Sequence, residues 1–223
     1  MRRIVFGFLI MVLTASATIV RSADLPQFVG NIPRSQTEHQ AALLRGAKWF
    51  MDYCSGCHSL RYMRYNRMAH DVGFMTASGE VDVNLLRSNF IYTHAMPHDP
   101  IQISMPAVDA RQWFGRVPPD LSLTARERGR AWIYTYLNSF YADPSRPFGA
   151  NNRLVPDVAM PNVLVPLRDD NGMTQQQFEQ SLNDVVAFLS YVAEPEKAER
   201  ESLGWKVLLF LLILLILMKQ ALR

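Results

Sequence analysis

The 223-residue chain contains two cysteines, and both stand in one pentapeptide, Cys54-Ser55-Gly56-Cys57-His58. C-x-x-C-H is the attachment signature of a c-type haem. Each thiol adds to one vinyl group, and the two-residue spacer lets both reach one edge of the ring. The histidine beside the second cysteine is then placed to ligate iron. Two other chemistries use such cysteines. A redox dithiol of the thioredoxin kind expects a strand before the motif and a helix after it; here a helix is predicted before it. A zinc site needs further ligands in a plausible arrangement. His94 and His98 have three residues between them, but Met96-Pro97 lies there and argues against a helix, and His39 and His70 stand apart. The residues therefore point to one covalent haem c on Cys54, Cys57 and His58.

A second axial ligand is harder to find. Methionine raises the potential of a haem iron and suits electron transfer, whereas a second histidine lowers it. Of 11 methionines, Met96, Met105 and Met160 are each followed by proline. A following proline restricts the backbone and can stiffen a ligand loop; any one methionine can equally be core filler. Met160 has the local advantage of a Pro- and Asn-rich loop just before a predicted helix.

Three helices would position these residues. Ser35-Gln36-Thr37-Glu38 fits a capping box, and the helix it opens reaches about Tyr53, with Leu43, Ala47, Phe50 and Met51 on one face. Gly46 sits in its middle, a position that costs about 1 kcal/mol against alanine and so suggests close approach by another element. A second helix is predicted over Leu121–Tyr141, with Ile133, Tyr136, Leu137 and Phe140 at helical spacing. A third is predicted over Thr174–Ala193, with Phe178, Leu182, Val185, Val186 and Leu189 on one stripe, ended or bent by Pro195. Long irregular stretches lie between, and no strand signal is strong.

Both ends of the chain carry membrane signals. Residues 1–23 read as an export signal, with Arg2 and Arg3 ahead of a mostly apolar stretch and cleavage sites after Ala17 or Ala23; an uncleaved anchor is the alternative. Near the C-terminus, Val207–Met218 is twelve residues without a polar group. Counted from Leu203 the segment covers roughly 24 Å, short of a hydrocarbon core of ~30 Å. Lys206 and Lys219 flank it and can snorkel, and Trp205 suits a headgroup boundary. The expected layout is a signal peptide over 1–23, a periplasmic domain over 24–202, one transmembrane segment over 203–219 and a cytoplasmic tail over 220–223. Net charge is +3, but residues 24–202 hold 17 basic and 20 acidic residues. No basic patch stands out, so nucleic acid is not an expected partner.

Several stretches together resemble the cytochrome c1 family, the haem c subunit of the quinol–cytochrome c oxidoreductase (bc1) complex. They are Arg45-Gly46, the run from Tyr53 to Asn66 around the haem motif, Pro118-Pro119-Asp120-Leu121-Ser122, Val158-Ala159-Met160-Pro161, Asp169-Asp170-Asn171-Gly172-Met173-Thr174, and Phe188 through Glu196. The match runs from about Arg45 to the C-terminus. It departs from mitochondrial members at Trp113-Phe114-Gly115-Arg116, where those have an Asn-Gly-rich approach, and residues 71–112 do not align. The resemblance implies a mainly α cytochrome c-like haem domain with long loops and one C-terminal transmembrane helix. It implies His58 and Met160 as axial ligands, Arg126 as partner of a haem propionate, and Pro119 among the haem-binding residues.

The implied function is one-electron transfer from a Rieske iron–sulfur protein to a cytochrome c acceptor. It would take place in a dimeric complex with cytochrome b, in contact with membrane lipid at the inner membrane. A membrane-anchored mono-haem donor to a terminal oxidase is the nearest alternative, and a periplasmic thiol–disulfide oxidoreductase a third. Acid–acetone extraction is expected to leave the haem on the chain, and a haem stain should survive denaturing electrophoresis; colour lost on extraction would exclude covalent attachment.

Overall fold

A computed structural model describes residues 36–164 and 172–222. The export-signal reading of residues 1–23 and the Ser35 capping box lie outside the described residues.

Helix α1 (Gln36–Tyr53) and helix α7 (Gln175–Ala193) form the framework. The predicted apolar faces of both are buried: Leu43, Ala47, Phe50 and Met51 on α1, and Phe178, Leu182, Val185, Val186 and Leu189 on α7. Thr174 caps α7 reciprocally with Gln177, each side chain accepting from the other's backbone N–H. The two helices meet at Gly46. A Cβ placed there would lie 2.0 Å from the Asp184 carbonyl oxygen and 2.8 Å from Phe188 Cβ. One turn on, Phe50 and Phe188 are both fully buried with ring centroids 5.7 Å apart, a geometry worth about 0.5–1.5 kcal/mol beyond area burial. Beside the glycine, the Arg45 guanidinium grips the buried Asp184 carboxylate with two bonds, Nε at 2.6 Å and Nη2 at 3.1 Å.

Between these helices the chain is less irregular than its sequence suggests. After the haem motif come β1 (Leu60–Arg64), α2 (Tyr65–Asp71) and α3 (Val83–Phe90), then β2 (Pro100–Ile101) and α4 (Ala107–Phe114). Strand β2 pairs antiparallel with β1, Leu60 opposite Ile101. Asp82 caps α3 by accepting from Leu85 N–H.

The single helix predicted over Leu121–Tyr141 is not formed. Leu121–Leu123 is instead held as a loop against β1. Two short helices follow, α5 (Thr124–Arg128) and α6 (Arg130–Asn138), broken at Gly129, whose φ of 87° is closed to helical geometry. Phe140 and Tyr141 then belong to β3 (Phe140–Ala142), paired antiparallel with β4 (Ala150–Asn152). Of the predicted stripe, Ile133 is buried, while Tyr136, Leu137 and Phe140 are only half-buried; Gly129 and strand pairing break the single helix.

The last element, α8 (Lys197–Ala221), is 25 residues with a mean hydropathy of 2.2 over its most apolar window, and none of that window is buried. At 1.5 Å per residue it is about 37 Å long, so the helix is not confined to 203–219. It absorbs the charged stretch from Lys197 and has the length for a span that the apolar run alone lacked. Only Glu194-Pro195-Glu196 separates it from α7. Arg67 on α2 bridges Glu196 at 2.6 Å and Asp71 at 2.6 Å. Asp71 also accepts from the Tyr191 hydroxyl at 2.5 Å and pairs with His70 at 2.8 Å. The start of α8 is thereby tied to α2 and α7.

Gly46→Val is expected to destabilise the domain by about 1–3 kcal/mol through overpacking, read as a lower urea midpoint. Burial alone would raise the Asp71 pKa, but the bonds from Tyr191, Arg67 and His70 outweigh it and hold the carboxyl below its ordinary value. A depressed carboxylate contributes stability above its unfolded pKa of about 3.9, lost as pH falls through the folded value. Acid unfolding of Asp71→Asn should therefore show a shallower pH dependence below about pH 4 than the parent; an identical acid limb would exclude this contribution.

Candidate haem site

Helix α1 does not stop cleanly at Tyr53. Its last carbonyls remain in use: Phe50 O accepts from both Cys54 and Ser55 N–H, and Ser55 Oγ donates to Met51 O at 2.7 Å. A further turn follows, with Cys57 N–H and His58 N–H both donating to Cys54 O, at 3.0 and 2.8 Å. The pentapeptide is thus a coiled extension of the helix that Gly46 fixes against α7.

His58 is oriented from the other side. Its Nδ1 lies 2.8 Å from the Pro119 carbonyl oxygen. A carbonyl can only accept, so Nδ1 carries the proton and Nε2 the lone pair that a metal would take. Burial lowers the imidazole pKa, against the Pro119 bond and the Asp120 charge, which push it up; the ring is neutral at pH 7, as a ligand must be. Pro119 itself is stitched down. Leu121 N–H donates to Ser59 O at 2.9 Å, Arg61 N–H to Asp120 Oδ2 at 2.9 Å, and Tyr62 N–H to the fully buried Ser122 Oγ at 3.2 Å. Pro119 thus acts through His58. Asp120, Ser122 and Ser59 hold it there, roles that composition and spacing had not singled out.

The thiols argue against a redox dithiol. Both are unpaired. Burial, with the nearby Cys57 adding to it, pushes the Cys54 thiol up to about 12, and burial raises Cys57 too. Dithiol exchange needs a thiolate at ambient pH. The motif also lies between a helix and a strand, the reverse of the thioredoxin order. Among the described residues no group of three or more His, Cys, Asp or Glu side chains gathers to hold a metal, so zinc lacks its ligands.

Cys54 forms one wall of an apolar crevice that Trp49, Leu137, Val163, Leu164, Phe178 and Leu182 help to line. The crevice is floored by α7 and flanked by Val163 and Leu164. Met160 is half-buried, and its Sδ accepts from the Tyr136 hydroxyl at 3.5 Å. Its loop is organised by two buried asparagines. Asn152 Oδ1 accepts from Leu154 and Val155 N–H while its Nδ2 donates to Tyr136 O at 2.7 Å; Asn151 Oδ1 accepts from Asp157 N–H. Asp157 has a φ of 60°, and Arg146 bridges it at 2.9 Å. The rival methionines are placed differently. Met96 is exposed and accepts from Arg87, and Met105 is half-buried just ahead of α4. Arg126 is exposed on α5, and no ion pair to another described residue engages it. An apolar crevice beside Cys54, two unpaired thiols and an imidazole of fixed tautomer fit a covalent haem c.

The comparisons with known proteins agree. The Cytochrome C1 family model matches residues 34–223. Cytochrome c1 of Allochromatium vinosum is 44% identical over 203 residues, covering 80% of each chain. A protein named ammonia monooxygenase gamma subunit, from Nitrosomonas europaea, is 35% identical over 219 residues, covering 92% of this chain and 90% of that one. A chain of a hyperthermophilic respiratory complex III overlaps 80% of this chain and 72% of its own at 21% identity, with a TM-score of 0.42. Motif, crevice and family match lead to one conclusion: the chain belongs to the cytochrome c1 family, a membrane-anchored electron-transfer subunit of the bc1 complex carrying one covalent haem c.

Proposed function

We propose that the chain takes one electron from a Rieske iron–sulfur protein and passes it to a cytochrome c acceptor, beside cytochrome b in a dimeric complex. The haem domain, 24–202, lies on the periplasmic side of the inner membrane, with residues 1–23 as the export signal, 203–219 as the membrane-crossing core of α8 and 220–223 as the cytoplasmic tail. When bound, the haem supplies reversible one-electron chemistry at its iron.

The chain's own residues do the rest. Cys54 and Cys57 would hold the group covalently, so that it is not lost from a domain lying outside the cytoplasm. His58 offers Nε2, and the single observation that carries this reading is its 2.8 Å bond to the Pro119 carbonyl. That bond sets the ring's tautomer and orientation and raises its basicity. Met160 would offer its thioether sulfur as the other protein ligand to the iron. A thioether is a weak donor that favours the reduced state, which suits an acceptor working from a high-potential partner. Arg126, exposed on the helix that follows the Pro119 segment, would fork onto a propionate carboxylate. Trp49, Leu137 and Phe178 exclude water from the crevice.

Three variants test the ligand assignment. Met160→Leu is expected to keep the covalent haem, lower the midpoint potential, remove the weak sulfur–iron absorption band of the oxidised form and admit carbon monoxide. Met96→Leu and Met105→Leu are expected to change none of these. Loss of the band in either of those variants, with Met160→Leu unaffected, would reassign the ligand.

A further inference from the structure

Met160 Sδ already has one polar partner, the Tyr136 hydroxyl at 3.5 Å. That contact is built from several directions. The Tyr136 ring is stacked on Trp132, with centroids 5.2 Å apart and planes 7° from parallel, and it meets Phe140 edge-on at 5.3 Å. Its backbone carbonyl takes the Nδ2 bond of Asn152, whose Oδ1 holds the Leu154 and Val155 N–H groups. The ring that donates and the loop that carries the sulfur therefore share one buried anchor, and neither can shift far without the other.

We propose that Tyr136 is a positioning residue that tunes the electron-donating strength of the Met160 thioether, and so raises the potential of the centre, through this hydrogen bond. The inference rests on the reading of Met160 as an iron ligand. A thioether sulfur has two lone pairs. Ligation uses one and leaves the other able to accept a hydrogen bond. An O–H donor there withdraws electron density from the sulfur. The more highly charged oxidised iron depends more on donation than the reduced iron, so the bond favours reduction. Hydrogen bonds to metal ligands are a general means of tuning a centre. Tyr136 would push the potential in the direction that the thioether itself does.

The full chain with its haem, solubilised in detergent, tests this. Tyr136→Phe keeps the ring and its stacking but removes the donor. The expected result is a lower midpoint potential, with the sulfur–iron band undiminished and carbon monoxide still excluded. An unchanged or higher potential with the band intact overturns the proposal and leaves Met160 as ligand. Loss of the band, or entry of carbon monoxide, makes Tyr136 a packing residue only and overturns it as well. Should Tyr136→Phe fail to fold, 3-fluorotyrosine at position 136 preserves the packing and strengthens the donor. An upward shift in potential is then expected, and no shift or a downward one overturns the proposal. Met160→Leu measured in parallel separates the two readings: a band that persists there removes the ligand assignment itself, and this inference with it.

Discussion

The contact on which the molecule depends is a backbone-to-backbone approach. At Gly46 the α1 main chain comes so near the Asp184 carbonyl that no side chain fits between. The glycine costs about 1 kcal/mol of helix propensity, which closer packing offsets. Phe50 and Phe188 pack into the core one turn on, and Arg45 closes the crossing from the solvent side. Because the haem motif continues α1 by hydrogen bonds to Phe50 and Met51 carbonyls, its distance from α7 follows from this crossing. The crevice takes its floor from Phe178, Leu182 and Val185 of α7 and one wall from Cys54 at the end of α1. A wider crossing would open both.

A second constraint acts on the other side of His58. The segment from Pro118 to Ser122 has no helix or sheet of its own. It is held by backbone and side-chain bonds to residues 59–62, and those in turn by β1 pairing with β2. The bond that orients the imidazole thus comes from a loop about sixty residues away in sequence. Buried Ser59 and Ser122 are each satisfied, as buried hydroxyls must be: Ser59 Oγ accepts from Ile103 N–H at 3.0 Å and Ser122 Oγ from Tyr62 N–H.

How far this could be read from residues alone varied with the physics. The cysteine motif and the Gly46 crossing were legible because each rests on one residue type doing what no other can. The stripes of α1 and α7 were legible because long helices repeat their pattern. The Leu121–Tyr141 region was misread because its apolar spacing lies only after Gly129, while tertiary bonds to Ser59 and Tyr62 hold Leu121–Leu123 out of helix. Asn151 and Asn152 were missed for a different reason. Asparagine is mostly exposed, so nothing in the sequence marks a buried pair that shapes a loop. Tyr136 was assigned to a helix face, but its hydroxyl contact with Met160 depends on how α6 and the 153–160 loop fold back on each other.

The corner at Glu194-Pro195-Glu196 has a mechanical consequence. Proline fixes one backbone angle there, Arg200 holds Glu194 at 2.6 Å, and Arg67 holds Glu196 while sharing Asp71 with Tyr191. The haem domain therefore sits on its anchor as a bracket sits on a post, with little torsional slack between them. Its height above the lipid surface is set by covalent geometry and a few ion pairs. Exposed ion pairs weaken with salt, so the bracket stiffens in dilute solution and loosens in brine, a dependence that a flexible tether would not have.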